Sequence, residues 1–145
     1  MKIEIIEKPF ALDIFGFSGA AWNKDYARTA FELSGKMWEV VKGKGIRNKG
    51  QNVWVYDAND GVFAGVELED PRTGEGLLER KTILIAKYAY FKHVGPYKLI
   101  KQVGQGMAEE ISRQGFKTSL PYVEIYGHWN KDESKLETEL LMRLE

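Results

Sequence analysis

Apolar and polar positions along this chain change their period repeatedly, and each change marks an element. Residues Lys2 to Ile6 alternate, with Ile3 and Ile5 on one face and Lys2 and Glu4 on the other, until Ile6 breaks the pattern and Pro9 interrupts the strand. Ala11 to Ser18 continues it after a bend. From Asp25 to Val41 the spacing shifts to three and four. Ala27, Ala30, Phe31, Ser34, Met37, Trp38 and Val41 form a stripe, while Lys24, Arg28, Glu32, Lys36 and Glu39 mostly face away. This predicts a helix capped by Asn23 and stopped by Gly43 and Gly45. Gly35 in its middle either weakens the helix or admits a close approach. Asn52 to Tyr56 and Val62 to Leu68 then read as a hairpin around Asp57 to Gly61, and the Pro and two Gly of Asp70 to Gly76 read as a linker.

The second half repeats the order. Leu77 to Phe91 is rich in apolar residues on both parities and reads as one long strand covered on both faces. Gly95 and Pro96 lead into a helix from Tyr97 to Gln114, closed by Gly115. Its buried stripe is Tyr97, Ile100, Val103 or Gly104, Met107, Ala108 and Ile111. A second hairpin pairs Tyr122 to His128 with Leu136 to Met142. Strand, helix and hairpin thus occur twice at a spacing of about 70 residues, which sets Trp54 against Glu124 and Tyr56 against Tyr126. The expected architecture is α+β: one domain of two half-modules, 1–72 and 76–145, related by a pseudo-twofold axis. It has an antiparallel sheet, two main helices packed on one side, and a ligand cleft on the axis on the opposite side.

Composition narrows the chemistry. A chain of 145 residues with 43% hydrophobic content builds an ordinary core without staples. The absence of Cys excludes thiol nucleophiles, disulfides, thiolate zinc sites and iron–sulfur clusters. Its 21 basic and 21 acidic residues cancel, so no global field gathers nucleic acid or an anionic membrane. The one basic cluster, Lys42, Lys44, Arg47 and Lys49, reads as a solvated loop, and no specific DNA binding is expected. The N-terminus lacks an apolar leader, and no run of 18 apolar residues occurs, so the expectation is a cytoplasmic protein without membrane contact. Only His93 and His128 are present, no HExxH or GxSxG occurs, and the glycines of GKGIRNKG follow a helix and lack the dinucleotide fingerprint. No metal and no cofactor are expected. The 4 Trp, 7 Tyr and 7 Phe are the unusual feature.

Strand parity gathers some of those rings. Tyr122, Glu124 and Tyr126 share one face of their strand while Val123 and Ile125 take the other. Asn52, Trp54 and Tyr56 share the matching face of the partner hairpin. Together they surround a single carboxylate with aromatic faces, an arrangement suited to an apolar or cationic organic molecule through cation–π attraction and a poorly solvated counter-charge. The alternative is that this face meets solvent and Glu124 is an ordinary polar strand residue. Trp22, Trp38, Tyr90 and Trp129 are further candidate walls, with Trp38 better placed in the helix core and Trp22 and Trp129 at segment ends.

The same residues carry a resemblance. Tyr90 to Ile100 (YFKHVGPYKLI), Gly115 with Phe116, and Leu120 to Trp129 (LPYVEIYGHW) resemble the GyrI-like small-molecule-binding domain. That domain is shared by the effector-binding modules of AraC- and MerR-type multidrug regulators and by gyrase-inhibitory proteins. The resemblance implies a duplicated module with a cleft between its halves, Glu124 as the acidic residue facing lipophilic cations, and Tyr126 beside it. His93, Gly95, Pro96 and Tyr97 match the turn into the second helix, which in the family looks structural. With no room here for an appended DNA-binding domain, a stand-alone sensor, carrier or sequestering protein is expected. The family also includes enzymes that hydrolyse cyclopropane compounds with a Glu and a Tyr, for which Glu124 and Tyr126 are the candidates, and proteins that act on a macromolecular partner. Binding a cation needs an ionised Glu124, whereas hydrolysis needs a carboxyl tuned toward neutrality.

Overall fold

The computed structural model describes all 145 residues. Eight strands and two helices follow in the order β1 (Glu4–Ile6), β2 (Phe10–Ala20), α1 (Tyr26–Gly43), β3 (Asn48–Tyr56), β4 (Gly61–Leu68), β5 (Glu79–Ile85), β6 (Tyr88–Val94), α2 (Ile100–Arg113), β7 (Thr118–Tyr126) and β8 (Glu137–Leu144). All pair antiparallel in one sheet of order β1-β6-β8-β7-β3-β4-β2-β5. This is the expected α+β sheet with two main helices.

The apolar run from Leu77 to Phe91 is two strands, not one. It bends at Ala86 and Lys87, so β5 pairs with β2 at one edge while β6 pairs with β8 and β1 near the other. Periodicity could not separate them, because Ile83 to Ala86 and Tyr88 to Phe91 are apolar at consecutive positions with only Lys87 between them. The bend mirrors the one around Pro9, which sends β1 to the second half and β2 to the first. Each half therefore lends its leading strand to the other. The sheet curls until its edges approach, and the rings of Phe10 and Tyr88 meet edge to face at 5.9 Å. Its interior is filled by Ile14, Val55, Ile83, Ile85, Val123 and Leu141, among others. Each fully buried side chain of this kind contributes roughly 1.5–3 kcal/mol.

Both helices lie on the outer face. Met37 and Val41 of α1 pack on Phe15 and Val66, and Ile100, Met107 and Ile111 of α2 pack on Ala89 and Leu140. Several helical details differ from expectation: α2 begins at Ile100 after a 3-10 turn at Tyr97–Leu99, and Ala27, Tyr97 and Ala108 of the expected buried stripes are exposed. The cap of α1 is Asp25, whose side chain accepts from the Arg28 amide, while Asn23 sits at a φ of 54° in the preceding 3-10 turn. Leu33, not Phe31, completes its buried stripe, and Phe31 stays 72% exposed. Gly35 does not interrupt the helix, and a Cβ there would meet nothing within 4 Å.

Candidate functional site

β3 and β7 are neighbours at the centre of the sheet, with Trp54 opposite Glu124 and Tyr56 opposite Tyr122. A repeat offset of 70 that also makes residues 54 and 124 cross-strand partners places the pseudo-twofold axis between them. Register slips on both strands at equivalent points, between Asn48 and Asn52 and between Thr118 and Tyr122. Alternation then does the sorting. Val53, Val55, Val123 and Ile125 enter the interior, and Trp54, Tyr56, Tyr122, Glu124 and Tyr126 point to the helix side.

Consequently the cleft opens between α1 and α2, on the same face of the sheet as the helices. The expectation that it would lie opposite them was wrong, for a physical reason. The inner face of a curled sheet is closed by its own aliphatic side chains, whereas two helices set side by side on the outer face leave a trough. The cavity measures about 1180 Å³. β3 and β7 form its floor, Phe31, Ser34, Gly35 and Trp38 one wall, and Lys101, Gly104, Gln105 and Ala108 the other.

Glu124 sits at the bottom, 6% exposed. Its Oε1 accepts from the hydroxyls of Tyr126 at 2.7 Å and Tyr56 at 3.3 Å, and its Oε2 accepts from Tyr122 at 2.7 Å. The reading of Glu124 as a solvent-facing strand residue is thereby excluded. A phenol has one proton, and all three protons are spent on the carboxylate, so these oxygens offer the cleft only acceptor lone pairs. Burial first, then the charge of Glu124 and the hydrogen bonds to it, push all three phenols well above the ordinary tyrosine value. Rings complete the floor: Tyr56 stacks on Tyr122 at 5.7 Å, Trp54 tilts on Tyr126 at 4.7 Å, and Tyr97 meets Tyr126 edge-on at 5.4 Å. The floor therefore presents π faces, acceptors and one buried negative charge.

Of the residues expected at the site, Glu124, Tyr126, Tyr122, Trp54 and Tyr56 converge. Two do not. Trp22 is 84% exposed in the turn before α1, outside the lining. Tyr90 packs toward the sheet interior and donates to Glu139, because its strand parity is opposite. Trp129 lines the mouth. Trp38, assigned to the core, also lines the cleft, its Nε1 held at 2.6 Å from the Asn52 Oδ1 that accepts from Ser34 as well. Tyr97, read as structural, is a wall residue, while His93 in the same turn is buried with Nε2 3.0 Å from the Pro96 carbonyl. A usable signal existed for Trp38: the repeat offset, carried onto the helices, equates Phe31, Ser34, Gly35 and Trp38 with Lys101, Gly104, Gln105 and Ala108, and every one of them lines the cavity.

No group of three or more His, Cys, Asp or Glu is placed to hold a metal ion, and no helix is long and apolar enough to cross a membrane. Neither a protein-family model nor a curated protein matches the chain. Solved structures do. SAV2435 bound to tetraphenylphosphonium superposes with a TM-score of 0.69 at 16% identity, covering 100% of this chain and 94% of that one. The C-terminal domain of EcmrR gives 0.73 at 18%, covering 100% and 99%. A hydrolase from Listeria innocua gives 0.56 at 13%, covering 99% and 92%. At such identities the likeness is one of fold: the chain shares the fold of SAV2435 and of the EcmrR C-terminal domain.

Proposed function

We propose that the cleft binds a lipophilic organic cation, with Glu124 as counter-charge and Trp54, Tyr56, Tyr122 and Tyr126 as its apolar surround. The observation that carries this reading is a buried carboxylate held by three hydroxyl donors beneath stacked rings. Donors aimed at a carboxylate complement its charge without removing it, and a low-dielectric aromatic enclosure strengthens attraction to a cation that itself is weakly hydrated. The ligand named for SAV2435, a phosphonium ion wrapped in phenyl rings, has this chemistry. A sensor, carrier or sequestering role uses the same cleft.

Calorimetric titration tests the reading with tetraphenylphosphonium and neutral triphenylphosphine oxide. Glu124→Gln keeps shape and removes charge. The cation should lose roughly 1–3 kcal/mol, about fivefold to 150-fold in Kd, while the neutral compound changes far less. Equal losses for both would end the role of Glu124 as a counter-charge. A water-added product in the mass spectrum of an incubated ligand would replace binding by hydrolysis.

A further inference from the structure

The two walls of the cleft carry different charge. On the α2 side Lys98 and Lys101 line the cavity, with Gln105 one turn beyond Lys101. Neither lysine pairs with a carboxylate in any of the molecule's ion pairs. The acidic groups that also reach the lining are engaged elsewhere. Asp57 is bound by Lys81 at 2.8 Å, Asp25 caps α1, and Glu124 is occupied by tyrosine hydroxyls on the floor. On the α1 side the position equivalent to Lys101 is Phe31, and that wall is aromatic through Trp38. Lys24 lines the α1 side and likewise enters none of these ion pairs. The cavity thus has a negative floor and a rim of three lysines, two of them adjacent on the α2 side.

We propose that Lys98 and Lys101 form a second, anion-accepting subsite, so that the ligand is an amphiphile with a cationic end at Glu124 and an anionic group at the α2 rim. The proposal rests on the reading of the floor given above and adds the class of molecule the cleft selects. A simple lipophilic cation meets the rim lysines as like charges, which repel it. An anionic group at the outer end of the ligand converts that repulsion into attraction, and one molecule then engages both poles. Gln105 supplies a neutral donor beside the lysines and Phe31 an apolar face across the mouth. Exposed lysines are screened by salt, whereas the buried carboxylate is screened far less, which separates the two contributions experimentally.

The test uses a matched pair, butyltriphenylphosphonium and (4-carboxybutyl)triphenylphosphonium, titrated into wild type and the Lys98→Gln, Lys101→Gln double variant. In low salt the carboxylate-bearing compound should bind wild type about threefold to tenfold more tightly. That advantage should disappear in the double variant and at 0.5 M salt. Equal affinity for the two compounds in wild type, or an advantage that survives the double variant, overturns the subsite. A third probe, the apolar anion 8-anilinonaphthalene-1-sulfonate, reads the rim without a cationic end to engage the floor. Its binding should weaken severalfold in the double variant and tighten in Glu124→Gln, and failure of that pattern also overturns the subsite. If neither phosphonium binds while the sulfonate behaves as stated, the cation reading of the floor falls and the rim subsite stands.

Discussion

The first and second halves of the cleft occupy equivalent backbone positions and share almost no chemistry. Trp38 answers to Ala108, Phe31 to Lys101, Asn52 to Tyr122 and Trp54 to Glu124, and Tyr56 with Tyr126 is an identical pair. Physics explains why the central pair had to diverge. Residues 54 and 124 are cross-strand neighbours, whose Cβ atoms lie roughly 4.5–5.5 Å apart. Two glutamates there would bury like charges against each other, and two tryptophans would fill the floor. A duplicated frame thus supplies a symmetric trough, and substitution at the axis makes it a site with one charged pole. The identical tyrosines survive because both point hydroxyls at the same carboxylate, though at unequal distances of 3.3 and 2.7 Å.

The largest effect that probes this comparison is pH. Tyr122 and Tyr126 of β7 and Tyr56 of β3 keep neutral phenols in the fold, raised above the unfolded value by burial and by Glu124. A raised phenol contributes stability that is complete below the unfolded pKa near 10 and is lost as pH climbs above it. At pH 11 the three groups alone cost about 4 kcal/mol of stability, since each unfolded tyrosine then ionises. Chemical denaturation at pH 8 and pH 11, with tyrosinate absorbance followed in parallel, checks this. Ionisation of all the tyrosines in the still-folded protein would show that the floor is wetter than described.

Gly16→Ala comes next, and it strikes one half of the molecule. Gly16 pairs with Gly65 where β2 meets β4, and an added Cβ would sit 1.8 Å from the Ala64 carbonyl oxygen. The corresponding β6 and β8 pairing, with Phe91 opposite Leu140, has no such glycine pair. A loss of about 3 kcal/mol is expected, at the upper end for overpacking, because backbone and not side chain must move. Thermal unfolding measures it, and native-state hydrogen exchange should show protection falling first in β2 and β4.

The identical tyrosine pair allows a finer cut. Tyr126→Phe removes the shorter hydrogen bond and Tyr56→Phe the longer one. Binding of a lipophilic cation should change by about 1 kcal/mol in the first variant and by less in the second. Equal effects would mean that the two halves support Glu124 alike. The smallest expected effect belongs to Trp22→Ala, which removes an exposed ring outside the lining and should leave affinity unchanged within about 0.5 kcal/mol. Trp54→Ala, by contrast, should weaken cationic and neutral ligands together, because the surface it removes is mainly apolar.

Much of this was legible before any coordinates. Alternation in Tyr122 to Tyr126 put the two tyrosines and Glu124 on one face, because a strand has only two faces and Val123 with Ile125 claims the inner one. The repeat offset likewise paired Trp54 with Glu124, and the period of three and four located both helices. Parity and period are properties of neighbouring residues that local backbone geometry is enough to read, and the repeat needs only the sequence set against itself.

What the fold alone decided involves elements distant in sequence. Whether Leu77 to Phe91 was one strand or two depended on which edge of the curled sheet each piece completes, and an apolar run carries no record of its partner. Trp38 looked like core because a helix stripe shows that a residue faces inward but not whether protein or a trough lies there. Tyr90 looked like a wall because aromatic character does not reveal parity in a strand whose start was misplaced. The side of the sheet on which the cleft opens followed from the curl, which closes the inner face with aliphatic packing and leaves the space between the helices open. Sequence determined which side chains stand together on each element. Tertiary structure determined which elements face each other across empty space, because that depends on long-range pairing that no local pattern encodes.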